Sequence, residues 1–149
     1  MENRNEVTIT FDAYSVNEGF ARMVAAAFAA EFNPTLDEIE DIKTAVSEAV
    51  TNAIIHGYEE TKGKVHMALL REEDELTVSV EDFGKGIADI EKAKEPFFTT
   101  KPELERSGMG FAFMEAFMDS VLVESVPGTG TKAVSYTHLR AHETVLDLV

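Results

Sequence analysis

The chain has 149 residues, of which 44% are hydrophobic and 28% charged, with a formal net charge of −15 and no cysteine. This composition predicts one soluble globular domain and excludes disulfides, thiolate metal sites and cysteine nucleophiles. The acidic surface would repel phosphates and argues against direct binding of DNA or RNA. The longest apolar run, Met23 to Ala30, is too short to span a bilayer and the amino-terminal residues are polar, so we expect a cytoplasmic protein without membrane contact.

The first elements along the chain are a strand and a helix. Apolar residues alternate with polar ones over residues 6–12, which predicts an edge strand. Ser15 and Glu18 have the S-x-x-E spacing of a capping box. The helix that follows is predicted to bury one apolar stripe, formed by Phe20, Val24, Ala27 and Phe28. Arg22 lies off this stripe, so we expect its side chain to be exposed.

A longer helix follows, opened by a T-x-x-E capping box at Thr35 and Glu38 and ended by Gly57. Its apolar face is predicted to comprise Leu36, Ile39, Ile42, Val46, Ala49, Val50, Ala53 and Ile54. Glu48 and Asn52 are four residues apart, which places both side chains on one face. They are either a chance polar pair on a surface helix or two parts of a ligand site, and the helix alone does not decide between these interpretations.

From Gly63 the apolar pattern alternates with a period of two, and residues 72–75 read as a hairpin connection between two strands. The parity of the second strand places Asp82 on its buried face. A buried carboxylate is costly unless it is hydrogen-bonded, so Asp82 is a candidate for contacting donor groups of a ligand. The alternative is that the strand has already ended and Asp82 only starts a turn.

Two glycine pairs complete the candidate site. Gly84 and Gly86 permit tight turns and close approach of a ligand, whereas Gly108 and Gly110 lead into an apolar helix whose free N–H groups form an anion site. A loop with two prolines, residues 95–102, lies between the pairs. Neither pair completes G-x-G-x-x-G, and no Walker-type loop is present, so a dinucleotide-binding fold and a P-loop are both disfavoured.

Strands around residues 121–123 and from Thr131 onward, joined by a turn at residues 127–130, close the chain. The order β-α-α-β-β-α-β-β predicts an α+β fold, a two-layer α/β sandwich with a mostly antiparallel mixed sheet and helices on one face. In such a site Asn52 can give a magnesium ion one oxygen ligand, and Glu48 can accept a proton from a hydroxyl or water.

These residues together resemble the nucleotide site of the GHKL ATPase superfamily, which has the Bergerat fold. Glu48 and Asn52 resemble its N box, and Asp82 with Gly84 and Gly86 its first glycine box. The stretch 107–111 resembles a shortened second glycine box, and Gly130-Thr131 the terminal Gly-Thr element. Within the superfamily, residues 47–58 and 97–111 resemble the anti-sigma serine kinases of spore-forming bacteria. The likeness covers about residues 5 to 134.

The resemblance implies that ATP or ADP and Mg²⁺ are the cofactors, and it implies a role for each site residue. Asp82 would contact the adenine amino group, Asn52 would ligate magnesium and Glu48 would be the base that activates a serine hydroxyl. Arg106 would reach the terminal phosphate. The remaining nucleotide contacts would come from the glycine boxes, the adenine side and a mobile lid, namely Gly84, Gly86, Ser107, Gly108, Met109, Gly110, Thr131, Thr99, Thr100 and Lys101.

The implied function is that of an anti-sigma factor, a homodimer that inhibits a sporulation sigma factor and phosphorylates a serine of its anti-anti-sigma partner. Arg22 would then be a partner contact. Three alternatives stay open: a general-stress anti-sigma serine kinase, a nucleotide-gated binding protein with little turnover, and a sensor-histidine-kinase catalytic domain. The last is disfavoured because such kinases usually carry another residue at the position of Glu48.

The end of the chain departs from the pattern of that family. The likeness fades by Ser135, and the residues that follow do not resemble its closing strand and short basic tail. We therefore expect the ATP-binding serine kinase and anti-sigma domain to occupy residues 1–134. Residues 135–149 are expected to be an atypical, non-native tail that is poorly ordered or packs opportunistically.

Overall fold

The computed structural model describes residues 4–57, 63–84 and 117–139. Within these ranges, five strands form one sheet in the order β1-β2-β3-β5-β4, and every pairing is antiparallel. The strands are β1 (Arg4–Asp12), β2 (Lys64–Glu72), β3 (Glu75–Asp82), β4 (Ser120–Val126) and β5 (Gly130–His138). This sheet confirms the predicted α+β class, the edge position of β1 and the hairpin between β2 and β3.

Two α-helices of the described ranges pack on the sheet and on each other. Helix α1 (Val16–Ala29) is extended by a 3-10 turn (Ala30–Phe32), and α2 (Leu36–Asn52) continues into a π-helical turn (Ala53–Gly57). The helix predicted after Gly110 lies almost wholly outside the described residues. None of the described helices is long and apolar enough to cross a lipid bilayer.

The core lies between these helices and one face of the sheet. Strand register aligns its core-facing side chains in rows that cross all five strands, one of which is Ile9, Met67, Val80, Ala133 and Val123. Burial of such branched and aliphatic side chains is the main stabilising term of the fold, at about 25 cal/mol per Å² of apolar area. The core-facing rows are thus mainly apolar, and polar side chains in such a row need a separate explanation.

Helix α2 begins as its sequence predicts. The Thr35 hydroxyl accepts the Glu38 N–H at 3.1 Å, and the Glu38 carboxylate accepts the Thr35 N–H at 2.8 Å, which completes the capping box. Such a cap contributes about 1 kcal/mol. The predicted apolar face is buried from Ile42 onward. Leu36 is the exception, because this first residue of the helix precedes the part that reaches the core and is 84% exposed.

Helix α1 corrects two predictions. Ser15 has helical backbone angles and makes no side-chain cap, so the predicted S-x-x-E capping box is wrong. The buried stripe is also displaced: Phe20 is 58% exposed and Ala27 is exposed, whereas Ala21 and Ala25 are fully buried. The alanines are in the core because their small side chains let α1 approach α2 closely. Phe28 is buried and Val24 packs against the core, as predicted.

The described part of the tail continues the sheet. Ser135 to His138 form the second half of β5. All four residues pair with β3, and Ser135 and Tyr136 also pair with β4. Ser135 and Thr137 are buried, and Leu139 lies in the core. Residues 140–149 lie outside the described residues. The division between a domain at 1–134 and a non-native tail stays a prediction.

Candidate functional site

One core-facing row of the sheet turns polar where its strands end. Phe11 and Val65 begin this row on β1 and β2, and Asp82, Thr131 and Ser125 continue it on β3, β5 and β4. The neighbouring row on the same face, which runs from Ile9 to Val123, is entirely apolar. The core-facing side chains therefore change from apolar to polar over two residues of β3, β4 and β5. Three adjacent polar side chains on a core-facing surface form the floor of a candidate binding site.

Asp82 is only 4% exposed, which confirms its predicted place on the buried face of β3. Its carboxylate accepts the Gly84 N–H at 2.9 Å and also the N–H of Thr131. Burial raises the pKa of Asp82 above its usual range, and the two backbone hydrogen bonds partly oppose that rise. A carboxylate offers about four acceptor positions, so Asp82 retains capacity for donor groups of a ligand.

Gly130 lets β5 pass close to this carboxylate. Its φ is +138°, a conformation that other residues rarely adopt. A Cβ atom here would overlap the carbonyl oxygen of Asp82 and lie 2.8 Å from the Cα of Phe83. Only glycine therefore permits the close approach of β5 that brings the Thr131 N–H to Asp82.

The hydroxyl groups of Ser125 and Thr131 are hydrogen-bonded to each other beside Asp82. The two residues are direct partners on β4 and β5, and their Oγ atoms lie 2.8 Å apart. The Ser125 hydroxyl also donates to the Gly130 carbonyl oxygen at 3.1 Å. These bonds connect β4 to the Gly130-Thr131 segment, so the position of Thr131 depends on an edge strand that makes no described contact with Asp82.

Helix α2 contributes the predicted polar pair. Asn52 is its last residue, and the π-helical turn that follows packs against β3 and β5. Wide turns of this kind frequently occur at functional sites. The Nδ2 atom of Asn52 is buried and has no hydrogen-bond partner among the described residues. Glu48, one turn earlier on the same face, is half-buried.

The donor set fits a magnesium ion that arrives with a nucleotide. A buried amide atom without a partner costs free energy, and a bound ligand would remove that cost. A half-turn of the amide exchanges nitrogen for oxygen, so Asn52 can offer the oxygen that magnesium prefers. The described residues contain no cluster of three His, Cys, Asp or Glu side chains that could hold a metal ion. Magnesium normally takes one or two protein oxygens together with phosphates and waters, which this arrangement allows.

Arg22 is less exposed than the sequence indicates. Its Nη1 atom lies 3.1 Å from the Glu18 carboxylate and donates to the Ser47 hydroxyl at 3.4 Å. Its side chain is 37% exposed, whereas Glu18 and Ser47 are buried. Arg22 is therefore half-buried, whereas the sequence predicted an exposed side chain, because Glu18 holds the guanidinium at the α1–α2 junction. Ser47 directly precedes Glu48, so the hydrogen bond from Arg22 links α1 to the helix that carries the candidate base.

Of the predicted site residues, the structure describes Arg22, Glu48, Asn52, Asp82, Gly84 and Thr131. Asp82, Gly84 and Thr131 lie together at the polar end of the sheet, and Glu48 and Asn52 share one face of α2. The others lie outside the described residues and keep the roles that the resemblance implies, namely Gly86, Thr99, Thr100, Lys101, Arg106, Ser107, Gly108, Met109 and Gly110.

Sequence reasoning missed Ser125, Glu18 and Ser47. The sequence does indicate the position of Ser125. It continues the alternating pattern of Val121 and Val123, in the same way that Asp82 continues the pattern of Val78 and Val80. The role of Glu18 was missed because the sequence pattern assigned it to a capping box and not to an ion pair with Arg22.

Residues 11–137 match the family model described as a histidine kinase-like ATPase domain. The chain is 57% identical over 130 residues to a protein named anti-sigma F factor from Clostridium acetobutylicum, covering 87% of this chain and 91% of that protein. It is 53% identical over 137 residues to the anti-sigma F factor of Bacillus subtilis, covering 91% of this chain and 94% of that one.

A solved structure has the same fold. It contains the RsbU and RsbW domains of a Mycobacterium tuberculosis protein, and it matches with a TM-score of 0.67 and 26% sequence identity. The match covers 95% of this chain but 34% of the other, so this chain spans about a third of that protein.

Proposed function

Because the chain belongs to the family of histidine kinase-like ATPase domains, and within it to the anti-sigma F factors, we propose how its site serves that function. It is an anti-sigma factor with ATP-dependent kinase activity. It binds ATP with magnesium at the polar end of its sheet and transfers the terminal phosphoryl group to a serine of an anti-anti-sigma protein. It also binds and inhibits a sporulation sigma factor.

Asp82 carries the proposal for the nucleotide. It is buried beside apolar residues, its pKa is raised by that burial, and yet it retains acceptor positions. Natural cores exclude such a carboxylate unless it has a function or a full set of partners. The exocyclic amino group of adenine supplies the N–H donors that the remaining acceptor positions require. Thr131, next to Asp82, lines the same edge of the base.

Glu48 is proposed as the base of the transfer. It accepts the proton of the serine hydroxyl while that oxygen forms a bond to the terminal phosphorus. The bond from phosphorus to the bridging oxygen breaks, and ADP leaves with that oxygen. Asn52 would hold magnesium, whose charge when bound offsets that of the phosphates. Because Glu48 and Asn52 are one turn apart on a capped helix that packs one face into the core, their relative position is fixed before ligands bind.

Contacts to the phosphates are proposed for residues outside the described ranges. Gly108, Met109 and Gly110 would offer backbone N–H groups, and Arg106 would neutralise the terminal phosphate. Thr99, Thr100 and Lys101 would belong to a lid over the nucleotide. Sequence resemblance alone supports these roles.

Arg22 is proposed as a partner contact on a homodimeric, cytoplasmic protein. Its guanidinium is held by Glu18, yet 37% of its side chain is exposed and the planar group retains free donors. The apolar side chains of Val16, Phe20 and Met23 are exposed on the same helix. An exposed apolar stripe beside an anchored arginine is typical of a protein–protein interface.

Phosphorylation of a purified anti-anti-sigma protein in the presence of ATP tests the proposed reaction. Phosphoserine on that protein, lost with Glu48→Gln, supports it. ATP-dependent binding of a sigma factor without transfer of phosphate would instead indicate a nucleotide-gated binding protein.

A further inference from the structure

The hydroxyl of Ser125 has two partners in the Gly130-Thr131 segment. It lies 3.1 Å from the Gly130 carbonyl oxygen and 2.8 Å from Thr131 Oγ1. A carbonyl oxygen can only accept, and a serine hydroxyl has one proton. When both bonds are made, that proton goes to Gly130, and Thr131 is then the donor in the bond between the two hydroxyl groups, for which the distance alone allows either direction.

This direction fixes what Thr131 can offer to a ligand. In this arrangement its hydroxyl proton points to Ser125, and its backbone N–H points to the Asp82 carboxylate. Both donors of Thr131 are thus used within the protein, and its Oγ1 lone pairs are what it can present to a ligand. The Gly84 N–H is likewise directed at Asp82. The edge formed by Asp82 and Thr131 consists of hydrogen-bond acceptors.

We propose that Ser125 is a positioning residue that sets the base selectivity of the nucleotide site. With Ser125 in place, Thr131 accepts from a 6-amino purine and has no proton for the carbonyl group of a 6-oxo purine. Without Ser125, the Thr131 hydroxyl turns and donates to that carbonyl. This inference rests on the proposed nucleotide function and deepens it, because selectivity depends on a residue of the edge strand as well as on Asp82.

The test compares the affinities of the full chain for ADP and inosine diphosphate by calorimetry, with magnesium present. The two ligands differ at the six-position edge, where inosine carries a carbonyl group and a protonated N1. The wild-type chain is expected to prefer ADP. Ser125→Ala should reduce that preference by about 2- to 10-fold, the range of one neutral hydrogen bond, mainly through tighter binding of inosine diphosphate. Ser125→Thr keeps the hydroxyl and should retain the preference.

Thr131→Val provides a second, independent variant. It removes the hydroxyl at nearly constant volume, so it should reduce the preference by weakening ADP binding. In the Thr131→Val background, Ser125→Ala should have no further effect on the ratio of the two affinities. A purely structural role for Ser125 would lower both affinities together and leave that ratio unchanged.

The outcomes separate this inference from the function on which it rests. An unchanged ratio in Ser125→Ala, with ADP still bound, overturns the role of Ser125 and leaves the nucleotide site intact. If Ser125→Ala does not fold, an unchanged ratio in Thr131→Val overturns it equally. A wild-type chain that binds neither diphosphate overturns both the inference and the nucleotide site.

Discussion

Asp82 and Thr131 are direct partners on β3 and β5, and the backbone N–H of Thr131 donates to the buried carboxylate of Asp82. The two residues are the last pair in the β3–β5 register, and the acceptor is the side chain of Asp82. This bond gives the carboxylate a fixed orientation without using all of its acceptor positions. Because of this bond, substitutions of β5 residues that do not contact a ligand can still alter the site.

Asp82→Asn is predicted to weaken ADP binding by about 10- to 100-fold. This range corresponds to the loss of a hydrogen bond to a charged acceptor. Titration of ADP by calorimetry measures the effect. Glu81→Gln is the matched control, since it makes the same change of charge one residue earlier on the opposite face of β3, and it should leave affinity unchanged. Equal losses in both variants would contradict direct contact of Asp82 with the base.

The stability of the apo protein should depend on pH through Asp82. Its pKa is raised on folding, so between the usual pKa of 3.8 and the raised pKa the folded protein holds more protons than the unfolded chain. The contribution of Asp82 to the free energy of unfolding therefore falls as pH rises through that window. ADP affinity should rise in the same window, because the ionised carboxylate is the acceptor. Denaturant unfolding of wild type and Asp82→Asn across this range measures the difference, and identical pH profiles would contradict a raised pKa.

Gly130→Ala is predicted to destabilise the protein and to weaken nucleotide binding. The new Cβ atom would collide with backbone atoms of Asp82 and Phe83, which cannot move without displacing the carboxylate. The positive φ adds about 1–2 kcal/mol of strain. Gly128→Ala is the control, because it also has a positive φ but its Cβ would meet no atom within 4 Å. Denaturant unfolding and ADP titration should show a loss of affinity in Gly130→Ala alone, and equal affinities in the two variants would contradict the role of the close approach.

Arg22→Ala is predicted to cost about 1–2 kcal/mol of stability. It removes the Arg22 guanidinium from the buried Glu18 carboxylate, but the exposed part of Arg22 limits the loss. Lys43→Ala breaks the Lys43–Glu40 pair, whose carboxylate is well exposed, and should cost less than about 0.5 kcal/mol. Adding Glu18→Gln to Arg22→Ala should recover part of the stability. Denaturant unfolding checks these values, and no recovery in the double variant would show that the buried charge is not the cause.

Arg22→Ala should also separate partner binding from nucleotide binding. Arg22 lies at the α1–α2 junction, where its described contacts are to Glu18 and Ser47 rather than to the polar end of the sheet. Pull-down with a purified sigma factor should show weaker binding, while ADP titration should give an unchanged affinity. Sigma-factor binding equal to that of wild type would contradict its role as a partner contact.

The sheet and the location of Asp82 were predictable because a strand has a strict period of two. Apolar residues at Leu76, Val78 and Val80 determine the face on which Asp82 lies, and burial of one face enforces that register. The capping box at Thr35 was predictable for a similar reason, since its two hydrogen bonds depend on local spacing only.

The buried face of α1 was not predictable by the same reasoning. Choosing the largest apolar residues favours Phe20, whereas close packing of α1 on α2 favours Ala21 and Ala25. That choice depends on the distance between two helices, which no local pattern contains. The same holds for Ser125 and Thr131, whose contact exists only because β4 and β5 pair in one register.

The most direct test of the central claim measures phosphate transfer by wild type and Glu48→Gln. Each is incubated with labelled ATP, magnesium and a purified anti-anti-sigma protein, and phosphoserine on that protein is followed with time. We predict transfer by wild type and a rate lower by about 10²- to 10⁴-fold in Glu48→Gln, with ADP affinity retained. Equal rates would contradict Glu48 as the base. ATP-dependent sigma-factor binding by wild type with no phosphoserine formed would contradict the kinase itself.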